Sequence, residues 1–165
     1  AWRLLERNFL KVLREPGDLD ARRGMQLGAF LAGTAIENSM LGATHALANP
    51  LTARYDIPHG QAIALMLPHV VRFNGAEYRD WYCELLAYVS GVNGAPKVSA
   101  GPDGLADFLG GLAAEAGLAG KLSISGVDRE ALPQLAEDAA KQWTGTFNPR
   151  KVGAAELLSM YEAAF

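Results

Sequence analysis

The chain is almost free of cysteine, since Cys83 is the only one in 165 residues. One thiol cannot form an intrachain disulfide, and it cannot build a metal site made of several thiolates. A disulfide scaffold and a cysteine-type zinc site are therefore excluded. A lone cysteine fits a reducing compartment, and we expect a cytoplasmic protein.

The chain also lacks a surplus of positive charge and any long apolar run. Lysine and arginine number 15 against 18 acidic residues, which leaves a net charge of −3 with the basic residues scattered. Nucleic acid is therefore not an expected partner. No apolar run approaches the roughly 20 residues that cross a bilayer, so no membrane association is expected. Hydrophobic residues still make up 50% of the chain, enough for one folded domain over residues 1–165.

Strand-like alternation of apolar and polar residues is absent, whereas apolar spacings of three and four are frequent. We therefore predict an all-α fold, a bundle of about seven or eight helices. Asp18 or Asp20 is expected to cap the second helix. A loop is predicted over residues 91–101. The predicted helices cover approximately residues 1–14, 20–48, 59–74, 76–90, 102–116, 128–143 and 154–164.

The segment 20–48 is rich in small residues at helical spacing. Each glycine inside a helix costs about 1 kcal/mol relative to alanine, which favours a helix whose backbone is approached closely. We predict that this helix is central and buried, with a bend at Gly33. Gly24 and Gly28 are interpreted as positions of tight helix packing rather than ligand contacts.

All three histidines of the chain lie in the range 42–74. Pro50 lacks an N–H group and is predicted to stop the preceding helix, whereas Pro58 suits a first turn. A new helix is therefore predicted to start near His59. His45 and His59 would then lie on neighbouring helices, an arrangement that can hold a metal ion. On spacing alone, such histidines are more often packed in a core than bound to metal.

A longer ordered pattern surrounds these histidines. It comprises Gly-x-x-His-Ala, Pro-His-Gly-x-Ala, Leu-Pro-x-Val and a final asparagine. The matching positions are Gly42, His45, Ala46, Leu51, Pro58, His59, Gly60, Ala62, Leu67, Pro68, Val70 and Asn74. In this order and spacing, the segment resembles the C-terminal domain of the iron-containing (group III) metal-dependent alcohol dehydrogenases. The likeness runs from residues 20–22 to residues 148–150, which is most of the chain.

The resemblance implies a helical domain that holds a divalent metal, Fe²⁺ or Zn²⁺, in an enzyme that interconverts an alcohol and an aldehyde or ketone. It assigns His45 and His59 as metal ligands and assigns no other ligand in this chain. It also implies an aspartate and a histidine, together with a domain that binds NAD or NADP, before Ala1. We therefore expect the chain alone to be inactive. A homo-oligomer formed through the helical domain is a further expected partner.

Asn49 departs from the family pattern. It follows His45 by one turn on the same predicted face, where many family members have a second histidine near the substrate. Asparagine cannot titrate, although it can form a hydrogen bond with a substrate or ribose hydroxyl. We therefore name Asn49 as the candidate catalytic residue. A proton released by the alcohol would leave through water or a cofactor hydroxyl.

Two other features are interpreted as structural. His69 resembles a position that the family fills without using it as a ligand. Residues 148–150, Asn-Pro-Arg, are interpreted as a loop that locks the last helices together, with Arg150 available to pair with a carboxylate.

Two alternatives accompany this interpretation. Glycerol dehydrogenase and dehydroquinate synthase share the two-domain plan and the metal position of the family. A synthase would need several basic residues to hold its acidic substrate, and the histidine-containing stretch offers only Arg54 and Arg72. The other alternative is a helical interaction module without enzymatic activity.

Overall fold

The structure is a computed structural model that describes residues 1–89 and 100–165. In these ranges the chain forms eight α-helices and three short 3-10 helices, without a β-strand, so the predicted all-α fold is confirmed. The predicted loop over residues 91–101 lies mostly outside the described residues. The α-helices are α1 (Trp2–Arg14), α2 (Leu19–Ser39), α3 (Ala43–Tyr55), α4 (His59–Gly75), α5 (Arg79–Ala87), α6 (Gly101–Glu115), α7 (Leu132–Ala140) and α8 (Ala154–Ala164), and the 3-10 helices are Ser123–Ser125, Arg129–Ala131 and Trp143–Phe147.

The helices pack around α3 and α4. Helix α3 contacts α4, α7, α8 and the 3-10 helix Trp143–Phe147, and this side of the molecule contains the larger hydrophobic core. A second core lies between α4, α5 and α6, with Phe108 at its centre. Helix α4 borders both cores, so it is packed on more than one side. Fully buried side chains of the larger core include Leu47, Leu51, Met66, Leu135, Leu157 and Tyr161.

The prediction of a central buried helix over residues 20–48 is wrong. Helix α2 ends at Ser39, because Met40 has a φ of 65° and the chain is extended at Gly42, and α3 then begins at Ala43. Helix α1 is the main neighbour of α2, which buries only Ala21 and Gly28. The large apolar side chains that α2 exposes are Leu19, Leu27, Phe30, Leu31 and Ile36.

Of the helices in the described ranges, none has the length and the apolar composition that crossing a membrane requires.

Two of the small residues of α2, Gly24 and Gly28, lie in close contact with α1, whereas a Cβ atom added at Gly33 would meet no heavy atom within 4 Å. A Cβ atom added at Gly24 would lie 2.3 Å from Asn8 Nδ2, and one added at Gly28 would lie 2.8 Å from Leu5 Cδ2. A side chain at Gly24 would displace the end of the Asn8 side chain, and one at Gly28 would displace the Leu5 side chain, so both glycines allow the two helices to pack closely. The interpretation of Gly24 and Gly28 as packing positions is confirmed.

Pro50 does not stop its helix, contrary to the prediction. Helix α3 runs through Pro50 to Tyr55 and ends at Asp56, which has a left-handed φ of 52°. A proline inside a helix costs about 3 kcal/mol, because one hydrogen bond is lost and the ring crowds the preceding turn. Leu47 and Leu51 flank Pro50 and are 0% exposed, and burying two leucines stabilises by about 3 to 6 kcal/mol. Burial therefore outweighs the local penalty.

Candidate metal centre

His45 and His59 converge. His45 is the third residue of α3 and His59 is the first residue of α4. Their ring centres are 5.4 Å apart, and their planes are inclined by 51°. Two imidazoles that bind one ion tetrahedrally, with metal–nitrogen distances of about 2.0–2.1 Å, place their ring centres roughly 5 Å apart. The separation therefore fits one shared metal ion.

Both histidines lie in the first turn of a helix. The Gly42 carbonyl accepts hydrogen bonds from the His45 and Ala46 N–H groups, at 3.2 and 3.3 Å. The Pro58 carbonyl accepts corresponding bonds from the Gln61 and Ala62 N–H groups, at 2.9 and 3.0 Å. Gly42 is extended, with φ −132° and ψ −156°, and Pro58 has φ −50° and ψ 131°, so neither residue is helical and each helix begins at the residue that follows. The convergence of the rings therefore depends on where α3 and α4 begin.

The surroundings of His45 favour its neutral form. Partial burial, and then the nearby His59, lower the pKa of His45 below its usual 6.5. Burial acts because the charged imidazolium loses water, and a second imidazole acts through repulsion between like charges. Neutral imidazole is the form that binds transition metals. His45 is therefore favoured in its neutral form near neutral pH.

Asn49 lies one turn after His45 and is half-buried. Its amide nitrogen donates a hydrogen bond of 3.0 Å to Gln142 Oε1. This bond uses the side-chain nitrogen of Asn49 and leaves its side-chain oxygen, Oδ1, able to accept a hydrogen bond from a hydroxyl group. Nothing in the sequence pointed to Gln142, which is 93 positions away from Asn49.

An exposed aromatic pair follows Gln142. Trp143 and Phe147 belong to the 3-10 helix that packs on α3, and they are 59% and 49% exposed. Their rings meet edge to face, with centres 5.9 Å apart and planes at 89°. Aromatic rings of this kind carry large apolar area. The 3-10 helix that follows Gln142 therefore exposes two large apolar rings.

The two histidines do not have a third ligand beside them in the described ranges, where no group of three or more histidine, cysteine, aspartate or glutamate side chains is placed to hold a metal ion. A catalytic zinc usually takes three protein ligands. Asp18 pairs with Lys11 at 2.6 Å, and Asp20 pairs with Arg23 at 2.8 Å, at the start of α2. Both carboxylates therefore already have basic partners at the start of α2.

Arg150 forms the predicted lock. Its guanidinium donates a hydrogen bond of 2.7 Å to the Phe73 carbonyl and lies 3.9 Å from the centre of the Phe73 ring. It also lies 3.8 Å from the Glu77 carboxylate, which confirms the expected pairing with an acidic residue. These contacts hold the loop that precedes α8 against the end of α4.

The described part of the chain is an all-α domain in which two imidazole rings from neighbouring helices lie close together. A sequence model described as the Fe-containing alcohol dehydrogenase family, C-terminal, matches residues 1–165. The chain therefore belongs to the iron-containing alcohol dehydrogenase family and corresponds to its C-terminal domain.

Individual relatives agree with this family assignment. The chain is 32% identical over 166 residues to the 1,3-propanediol dehydrogenase of Citrobacter freundii, a match that covers 100% of this chain and 43% of that protein. It is 34% identical over 154 residues to the lactaldehyde reductase of Escherichia coli K12, covering 90% of this chain and 39% of that protein. A crystal structure of a 1,3-propanediol oxidoreductase superposes with a TM-score of 0.88 at 30% identity, covering 100% of this chain and 43% of the other. The chain thus spans less than half the length of these relatives.

Proposed function

We propose that this chain is the metal-binding helical part of an NAD- or NADP-dependent alcohol dehydrogenase that interconverts an alcohol and its aldehyde or ketone. The observation that carries the proposal is the 5.4 Å separation of the His45 and His59 rings in a chain of this family. The two histidines would hold a divalent ion, Fe²⁺ or Zn²⁺, together with ligands from outside this chain. The nucleotide would bind mainly outside it as well.

Each residue of the site has a defined part in this proposal. When bound, a divalent ion polarises the oxygen of the alcohol or carbonyl substrate as a Lewis acid. His45 and His59 bind through neutral nitrogens, which the lowered pKa of His45 favours. Asn49 orients a hydroxyl group through its carbonyl oxygen, and it cannot accept a proton. The proton of the alcohol therefore leaves through water or a hydroxyl of the cofactor.

We further propose that the aromatic pair forms an apolar wall of this site. Trp143 directly follows Gln142, the partner of Asn49, in the chain, and the Trp143 and Phe147 rings are both exposed. Apolar walls exclude water and bind the hydrocarbon part of a substrate, while a few polar groups fix its orientation. This favours an alcohol with an apolar portion over a strongly charged one.

A synthase with an acidic substrate is disfavoured by the arginines of the same stretch. Arg54 pairs with Asp138 at 2.6 Å, and Arg72 pairs with Asp107 on α6. Both guanidinium groups already have carboxylate partners, so neither is free to bind a carboxylate substrate. We keep a cytoplasmic location within the proposal, on the ground of the single cysteine, Cys83.

His59 and His69, which both lie on α4, provide the test. In the whole enzyme, His59→Ala should remove the bound metal, because it deletes one of the converging ligands. His69→Ala is the matched control, since His69 lies on α4 ten residues further along and should leave the metal in place. Elemental analysis of the purified variants measures both. Full metal content in His59→Ala, or equal loss in the two variants, would refute the ligand assignment.

A further inference from the structure

Two buried asparagine side chains face each other beside the start of α3. Asn74, near the end of α4, is 3% exposed, and Asn148, in the loop before α8, is 9% exposed. Asn148 Nδ2 donates to Asn74 Oδ1 at 2.8 Å, and Asn74 Nδ2 donates to Asn148 Oδ1 at 3.1 Å. Buried polar groups are tolerated when they are satisfied in this way. The reciprocal pair therefore joins the loop to α4.

The same Asn148 oxygen also caps α3. It accepts a hydrogen bond of 3.3 Å from the N–H group of Ala43, the first residue of α3. The first N–H groups of a helix have no partner within the helix, and a side-chain oxygen of the preceding residue usually satisfies one of them. That preceding residue is Gly42, which has no side chain. Asn148, which lies 105 positions after Ala43 in the chain, provides the side-chain oxygen instead.

The capping oxygen fits closely against Gly42. A Cβ atom added at Gly42 would lie 3.1 Å from Asn148 Oδ1, closer than most real contacts of a Cβ atom. The remaining donor of Asn148 is also used, since Nδ2 lies 2.6 Å from the Arg150 carbonyl. Arg150 is itself anchored to Phe73 on α4. The loop therefore holds the start of α3 at a fixed place relative to α4.

We infer that Asn148, together with Asn74, is a positioning residue of the metal centre, fixing the start of α3 so that His45 meets His59. This inference rests on the proposed function. His45 follows the capped residue Ala43 by two positions, so a first turn that frays or shifts moves its ring directly. Functional groups must be held to within about 0.5 Å of their working geometry, and supporting hydrogen bonds provide this precision.

The structure offers a matched control for this role. Tyr161 on α8 is fully buried, and its hydroxyl donates a hydrogen bond of 2.6 Å to the Leu47 carbonyl, in the middle of α3. Asn148→Ala and Tyr161→Phe each remove a buried hydrogen bond to the same helix. Only Asn148→Ala removes the cap at its start. A general loss of stability would affect both variants, whereas a positioning effect would appear in one.

The experiment measures Co²⁺ binding to the whole enzyme by visible absorption and the stability of the metal-free proteins by urea unfolding. Asn148→Ala should weaken Co²⁺ binding by about tenfold or more, the effect typical of residues that orient metal ligands. Tyr161→Phe should lower the urea midpoint while leaving Co²⁺ binding within about twofold of the unmodified enzyme. Unchanged Co²⁺ binding in Asn148→Ala, or equal weakening in both variants, would overturn the inference.

A second variant keeps the test decisive if Asn148→Ala does not fold. Asn148→Asp retains an oxygen for the Ala43 N–H group, and a carboxylate is favoured at the start of a helix. Because it loses the N–H groups that donate to Asn74 Oδ1 and the Arg150 carbonyl, its stability should fall. Its loss of Co²⁺ binding should nevertheless stay below the roughly tenfold loss expected of Asn148→Ala, and a loss of tenfold or more would overturn the inference. Hydrogen exchange in metal-free Asn148→Ala should be faster at the His45 and Ala46 amides than in the unmodified enzyme, and unchanged exchange there counts against the inference.

The proposed function and this inference can fail separately. His59→Ala, measured with the same Co²⁺ titration, tests only whether the histidines bind metal. Unchanged binding in His59→Ala refutes the metal centre itself. Lost binding in His59→Ala with unchanged binding in Asn148→Ala leaves the metal centre standing and overturns the positioning role alone.

Discussion

Gly75 lies where the end of α4 meets the start of α6, and Gly75→Ala tests how closely these helices are packed. A Cβ atom at this position would lie 2.3 Å from Pro102 Cβ and 2.7 Å from Pro102 Cγ. The proline ring is rigid and buried, so it cannot rotate away as a flexible side chain would. The helices would have to move apart.

The expected effect of Gly75→Ala is a net loss of stability. Overpacking of this kind costs about 1–3 kcal/mol, while replacing a helical glycine by alanine returns up to about 1 kcal/mol. We therefore expect the free energy of unfolding to fall by about 1–2 kcal/mol. Urea unfolding followed by circular dichroism measures this difference.

Gly110 provides the control for this prediction. It lies in α6, and a Cβ atom added there would have no heavy atom within 4 Å. Gly110→Ala should therefore raise the free energy of unfolding, by up to about 1 kcal/mol, through helix propensity alone. If Gly75→Ala stabilises the protein as much as Gly110→Ala does, the packing between α4 and α6 is not as tight as described.

The remaining predictions concern pH, the candidate catalytic residue and the isolated chain. Burial, and then the charge of Arg72, lower the pKa of His69 in the folded protein below its usual 6.5. As the pH falls, the His69 imidazole is therefore protonated in the unfolded chain before it is protonated in the folded protein, which favours unfolding. The contribution of His69 to stability should be present above about pH 6.5 and should fall at lower pH. In urea unfolding at about pH 5 and pH 7, His69→Gln should therefore lose less stability between the two pH values than the unmodified protein does. The same loss in both proteins would contradict this prediction. Asn49→Ala should lower the turnover of the whole enzyme by about tenfold, the value of one hydrogen bond, while its metal content stays constant, and a loss of metal would refute the assigned role. Residues 1–165 alone should bind metal weakly and should not reduce NAD⁺ or NADP⁺ with alcohols, so observed reduction would contradict the proposed need for further ligands.

Local signals in the sequence predicted several elements correctly. Pro58 indicated the start of α4 at His59, and Asp18 caps α2 by accepting a hydrogen bond of 2.9 Å from the Ala21 N–H group. The last helix was expected over residues 154–164, where α8 lies, and Glu156 accepts a hydrogen bond of 2.8 Å from the Gly153 N–H group at its start. These signals work because the residues that decide each boundary are neighbours in the chain.

The errors have a common physical origin in contacts between distant segments. Pro50 remains inside α3 because burial of its neighbours outweighs its local penalty, and burial cannot be derived from a proline in a sequence. The small residues of α2 indicated a close approach, but not that α1 alone would make it. The hydrogen bonds from Asn49 to Gln142 and from Ala43 to Asn148 join positions 93 and 105 residues apart. Spacing identified the two histidines, whereas only the structure shows how far apart their rings are.

The central claim is that His45 and His59 bind the same metal ion, and X-ray absorption at the metal edge of the loaded whole enzyme tests it most directly. We expect imidazole nitrogens at about 2.0–2.1 Å, and one imidazole fewer in His45→Ala and in His59→Ala. The number should be unchanged in His69→Ala. An unchanged number of imidazoles in either His45→Ala or His59→Ala would contradict the account.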